Sequence, residues 1–128
     1  MIKKFTVLSL LLCSSTVVAS ENVVSDKMVC KATIAGLMHQ KPYLITVEEM
    51  TEDYLLYYTR EIDKTEWTYK CKVEGNNVIW GTASVKYSKL RSAKNTTFTV
   101  SDDKNKIIII DKYVDGSETK KIIDIKDL

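Results

Sequence analysis

The run from Glu66 to Trp80, E-W-T-Y-K-C-K-V-E-G-N-N-V-I-W, constrains the fold of this chain more than any other stretch. Trp67, Tyr69, Cys71 and Val73 alternate with Thr68, Lys70, Lys72 and Glu74, so one face of an extended strand is apolar and the other charged. Gly75-Asn76-Asn77 offers residues that tolerate positive φ, and Val78-Ile79-Trp80 resumes the apolar run. The spacing predicts an antiparallel hairpin half-buried on one face.

A helix is expected just upstream. Ser25 is placed to cap it and Asp26 sits in its first turn. Cys30, Ile34, Leu37 and Met38 recur at helical spacing and gather on one face, and Lys41-Pro42 ends the element because the residue before proline is pushed out of the α region. If Cys30 lies on that face and Cys71 on the inward face of the central strand, a bond between them pins the helix to the sheet.

After Pro42 the pattern changes to short strands: Tyr43 to Val47, Tyr54 to Arg60, Glu66 to Glu74, Asn77 to Val85, Thr96 to Ser101, Lys106 to Val114 and Ser117 to Ile125. Asp115-Gly116 is a strong hairpin signal between the last two. The expected fold is α+β and mainly β, with one N-terminal helix packed on a six- or seven-stranded antiparallel meander, either a curved sheet or a small barrel. Ile107 to Ile110 is continuously apolar, so that strand is expected to be covered on both faces. Tyr57 should point opposite to Tyr54 and Tyr58, one set to the core and the other to the surface.

Lys3 and Lys4, the apolar run Phe5 to Leu12 and the small residues Val17-Val18-Ala19 have the form of an export signal over residues 1–19, with residues 20–128 as a single domain. The apolar run is too short to span a bilayer. Leu12 before Cys13 does not fit a lipidation signal. Loss of Lys3 and Lys4 would leave 17 basic and 17 acidic residues. That balance argues against a general nucleic-acid binder and against a polybasic membrane-surface protein. Export to the periplasm, an oxidising compartment, makes a Cys30–Cys71 disulfide the expected state.

Catalytic groups are not assembled in the sequence. His39 is the only histidine and stands near a helix end, with no nucleophile–base pair about it. Glu48, Glu49, Glu52 and Asp53 are a solvated turn by their position between two strands, without the enclosed cleft that paired carboxylates need for glycoside hydrolysis and without EF-hand spacing. Asp102-Asp103-Lys104-Asn105 is another turn, and Asn95-Thr96-Thr97 is a sequon by accident in a bacterial export context. The expectation is a protein with no catalytic residue, no metal and no cofactor. The segment Lys86 to Lys94 carries four cations and no acid, a composition suited to an exposed contact loop. Ser84, Lys86, Tyr87, Lys89 and Arg91 are the candidate partner-binding residues.

Two resemblances follow from these motifs. The C-K-A-T-I-A-G-L-M helix, the W-T-Y-K-C-K-V-E-G-N strand and turn, and the late Y-V-D-G-S hairpin resemble a group of small exported proteobacterial proteins with no assigned activity, which implies the fold and compartment already read from the residues. Gly81-Thr82-Ala83-Ser84-Val85-Lys86-Tyr87 is similar to the loop that small periplasmic lysozyme inhibitors insert into their target, although Val85 stands where that family has glycine and a helix leads where it has a strand. The second resemblance implies an inhibitor of a lysozyme, and small size, one disulfide, neutral charge and the absence of catalytic groups fit the wider expectation of a non-catalytic immunity protein or inhibitor that blocks a cell-wall-degrading enzyme. An envelope accessory or assembly protein is the alternative, and a homodimer is compatible with either.

Overall fold

The computed structural model describes residues 24–84 and 95–128. The expected export signal, and Lys86, Tyr87, Lys89 and Arg91 of the candidate surface, lie outside the described residues. Helix α1 runs Asp26–Leu37, and the strands are β1 Thr46–Glu49, β2 Tyr54–Thr59, β3 Glu66–Glu74, β4 Asn77–Thr82, β5 Thr96–Val100, β6 Lys106–Lys112 and β7 Glu118–Asp124. The sheet is seven-stranded and antiparallel in the order of the chain, and it is not closed into a barrel. Of the two shapes the sequence allows, the curved open sheet is the one adopted.

Ser25 caps α1 as expected, its hydroxyl accepting from the Met28 amide at 3.2 Å. The helix stops at Leu37, with His39 in the left-handed region at φ 56° satisfying the turn before Pro42. Tyr43 and Leu44 are not strand: Pro42–Leu44 is a single 3-10 turn, since proline fixes its own φ and lacks the amide a ladder would use. The remaining strands fall within a few residues of their expected limits.

The helix departs from a simple one-faced amphipathic element. Val29, Cys30, Ala32, Thr33, Ile34, Ala35 and Gly36 are all buried, and α1 packs against β1, β2, β3, β4, β6 and β7. A helix buried on most sides is one that a curled sheet wraps, and the small residues allow the approach. A Cβ at Gly36 would stand 3.0 Å from the Lys121 Cβ of β7, so glycine here sets how near that strand can come. The rest of the core comes from alternate strand positions: Leu56 and Tyr58 of β2, Tyr69 and Cys71 of β3, Val78 of β4, and Ile107 and Ile109 of β6. Cys30 and Cys71 are bonded, with their Cα atoms 5.8 Å apart, and tie the helix to the middle of β3.

The expectation for the isoleucine run needs correction. Ile107 and Ile109 are buried against the helix, whereas Ile108 and Ile110 are only half-buried and the neighbouring Ile122 is 54% exposed. A single helix covers one face of the sheet, and successive side chains point to opposite faces. Four consecutive apolar residues therefore place two in the core and two on the outer face.

Pairing along the sheet is uneven. β2 and β3 share six register pairs and β6 and β7 seven, whereas between β4 and β5 the described residues form one, Asn77 with Thr97. The sheet thus divides at a seam into β1–β4, which carries the disulfide, and β5–β7.

Candidate functional site

In a meander each turn reverses the chain, so successive connections alternate between the two ends of the sheet. One end carries the β1–β2, β3–β4 and β5–β6 turns and the N-terminus of α1, where Asp26, Glu49, Glu52, Asp53 and Glu74 border a shallow concavity. Of the acidic cluster, Glu48 stands outside that concavity, on the outer face, where it accepts a 2.9 Å hydrogen bond from the Tyr57 hydroxyl. This bond holds the phenol proton and raises the Tyr57 pKa. Tyr58 is buried and Tyr57 is not, as alternation requires.

The opposite end is chemically different. It gathers the residues leading into β1, the β2–β3 turn, the connection from β4 to β5 that begins at Ala83-Ser84, and the β6–β7 hairpin. Ser84, the one candidate partner-binding residue among those described, is exposed here in the turn after β4. Large apolar side chains project into solvent from other connections at this end: Tyr43 is 74% exposed, Ile62 90%, Tyr113 45% and Val114 fully. These four side chains lie on three connections at one end of the sheet: the lead into β1, the β2–β3 turn and the β6–β7 hairpin.

These tips are held in shape. In the β2–β3 turn Arg60 donates through Nε to an oxygen of Asp63 at 3.1 Å and pairs with the second oxygen through its terminal nitrogen, while the Asp63 carboxylate also accepts from the Thr65 amide. The Arg60 bonds, more than any other influence, hold the Asp63 carboxyl far below the usual carboxylate range. In the β6–β7 hairpin Asp115 accepts from both the amide and the hydroxyl of Ser117, at 2.9 and 2.6 Å, and its pKa is lowered in consequence. Gly116 at φ 92° provides the conformation that closes the turn.

Beside the β2–β3 turn lies a groove of about 270 Å³ lined by Leu37, Met38, His39 and Gln40 from the end of α1 and by Tyr58, Arg60, Trp67 and Tyr69 from the sheet. Tyr58 and Tyr69 stack with ring centroids 6.2 Å apart, and the Tyr69 hydroxyl contacts the Met38 sulfur at 3.1 Å. Burial pushes the Tyr69 pKa up to about 12. The Arg60 guanidinium lies 5.3 Å from the centre of the Trp67 ring, and the Trp67 indole N–H is buried without an acceptor. His39, exposed at the rim, has Nδ1 3.4 Å from the Lys121 ammonium.

A third cluster sits at the seam. The Trp80 indole N–H donates to Thr96 Oγ1 at 2.9 Å, and that hydroxyl donates to Asp111 at 2.7 Å. Asp111 is 2% exposed and Thr96 1%. One hydroxyl therefore links three strands, across a boundary that backbone pairing holds weakly. Thr96 is the second residue of the sequon, and its burial gives the position a structural role.

The sequence pattern did not single out the groove, the exposed tips or the Trp80–Thr96–Asp111 chain. The tips had a signal: Tyr113-Val114 directly before Asp115-Gly116, and Ile62 between Glu61 and Asp63, put large apolar residues where turn chemistry favours polar ones. The chain and the groove had none, because their members come from separate elements far apart in sequence, Leu37 to Tyr69 in the groove and Trp80 to Asp111 in the chain. Among the described residues no group of His, Cys, Asp and Glu is placed to hold a metal ion, and no helix is long and apolar enough to cross a membrane. Compared with protein-family models, with curated proteins and with solved structures, the chain matches none.

Proposed function

We propose that this is a periplasmic, non-catalytic protein-binding protein that blocks a cell-wall-degrading enzyme, as an immunity protein or an inhibitor. The observation that carries the reading is the concentration of exposed Tyr43, Ile62, Tyr113 and Val114 on braced connections at the end of the sheet where Ser84 begins the basic segment. Recognition surfaces favour tyrosine and rigidly presented apolar side chains, because little conformational entropy is lost when they are buried. The disulfide between α1 and β3 suits an oxidising compartment and stiffens the scaffold behind these tips.

The test is inhibition of purified peptidoglycan hydrolases, lysozymes among them, by the oxidised protein. Loss of hydrolysis at equimolar protein, relieved by Ser84→Ala combined with Lys86→Ala and Lys89→Ala, is the expected result. Undiminished hydrolysis across such a set, with capture of an envelope component instead, transfers the role to that of an accessory protein.

A further inference from the structure

An open sheet leaves two edge strands, and among the described residues nothing pairs with the outer edge of either. The two edges differ. β1 is short and half glutamate, Thr46-Val47-Glu48-Glu49, a charged edge of the kind that resists pairing. β7 is seven residues long, without proline or glycine, and its register with β6 runs unbroken from Lys112–Glu118 to Lys106–Asp124.

That register fixes which backbone groups face outward, because opposed residues of an antiparallel pair alternate between bonded and non-bonded. The Tyr113 amide donates to the Ser117 carbonyl and the Ile125 amide to the Asn105 carbonyl, both at 2.8 Å, and these two pairs continue the β6–β7 register at either end. Thr119, Lys121 and Ile123 are therefore the residues that bond to β6. The amides and carbonyls of Glu118, Lys120, Ile122 and Asp124 point away from the sheet. Their side chains lie on the outer face, away from α1, where Ile122 is 54% exposed.

Lys120, Ile122 and Asp124 form a pattern that complements itself when reversed. Set antiparallel against its own copy about Ile122, β7 brings Lys120 opposite Asp124 of the second copy, Ile122 opposite Ile122, and Asp124 opposite Lys120. All three are outward-bonding positions, so side chains and backbone are matched together. On the inner face the same register opposes Lys121 to Ile123, with no like charges in contact. Asp124 already lies 3.5 Å from Lys106 in its own chain, an ion pair whose side chains are 46% and 42% exposed, and Lys120 of the second copy approaches it from the other side. Centring the contact on Lys120 or on Lys121 instead would oppose a lysine to itself, so the cations that guard this edge against other registers admit this one.

We infer that β7 pairs with β7 of a second copy, antiparallel and centred on Ile122, in a two-fold dimer whose sheet is continuous across both copies. Pairing gives protein partners to the outward amides and carbonyls and covers Ile122. The dimer is independent of the inhibitor reading, since none of these residues belongs to the surface assigned to an enzyme partner.

Sedimentation of the oxidised protein alone, from micromolar to millimolar concentration, tests this together with amide exchange at both ends of the range. The expected result is a mass that rises to twice the monomer and no further, with the Lys120 and Ile122 amides slowing as it does and the Lys121 amide, bonded to β6 in either state, changing far less. Lys120→Glu, at an exposed position, turns both symmetric attractions into repulsions and should weaken the dimer about tenfold. Ile122→Pro removes an outward amide from each copy and leaves the bonds to β6 in place, so it should give a folded monomer. A protein that is monomeric up to millimolar concentration overturns the inference. So does a dimer that is indifferent to Lys120→Glu, or in which the Ile122 amide exchanges as in the monomer. Growth of mass beyond two copies overturns it as well, since that marks head-to-tail joining through β1. Protection of Lys120 and Ile122 only after a peptidoglycan hydrolase is added would give the edge to a strand of that enzyme, and equally ends the proposal. Whether a hydrolase is inhibited is read separately and decides none of the outcomes seen with the protein alone.

Discussion

Thr96 shows how much one hydroxyl can carry in this fold. It accepts from Trp80 and donates to the buried Asp111, so Thr96→Val, which keeps the shape, strips a partner from an indole and from a carboxylate together. Two side-chain hydrogen bonds are lost, one of them to a carboxylate, and urea unfolding should register a loss of roughly 2 kcal/mol. Ionisation provides a second residue-scale check. Burial raises the Tyr69 pKa to about 12, so the phenol favours the folded state below its ordinary value of 10.0, and that contribution is lost as pH rises from there through about 12. An ultraviolet titration should find a tyrosine that ionises well above the ordinary value of 10.0, with unfolding hastened over the same interval. Asp63 has the opposite sign: its folded pKa is depressed by Arg60, so its contribution is present above the unfolded value and lost as pH falls toward the folded one. Asp63→Asn should flatten the acid side of the stability profile.

The helix and the central hairpin are elements whose existence was legible in sequence, because a cap, a proline stop and strict alternation are local signals. Ser25 caps α1 and β3 runs Glu66–Glu74, both as their residues require. What the helix touches was not legible. A 3.6-residue pattern identifies an apolar stripe, but it does not show that β7 comes against Gly36, with Lys121 and Ile123 beside it. The disulfide is the link between the two elements. It closes a loop with a sequence separation of 41, for which chain entropy implies about 4 kcal/mol of stabilisation. Reduction, or Cys30→Ala with Cys71→Ala, should lower the unfolding midpoint by a corresponding amount and should free the end of α1 first. A reduced protein with unchanged stability would mean that packing of the helix suffices without the bond.

On the scale of the molecule, the seam between β4 and β5 sets the order in which the structure should open. One register pair joins the two halves among the described residues, against six and seven within them. Amides flanking the seam should exchange with solvent faster than those of β3 or β6, and Thr96→Val should widen the difference. Equal protection across β3, β4, β5 and β6 would show that the sheet behaves as one unit. The sequence by itself determined the parts: one capped helix, seven short strands in meander order, and the two cysteines that join them. Periodicity and turn residues act over neighbouring positions. Tertiary structure alone decided the rest: that the sheet stays open, that β7 packs on Gly36, that a threonine from a surface-looking sequon bridges an indole and a carboxylate, and that Tyr43, Ile62, Tyr113 and Val114 share one end. Those outcomes depend on twist, curl and the alternation of connections, which bring together residues that carry no mark of each other in the chain.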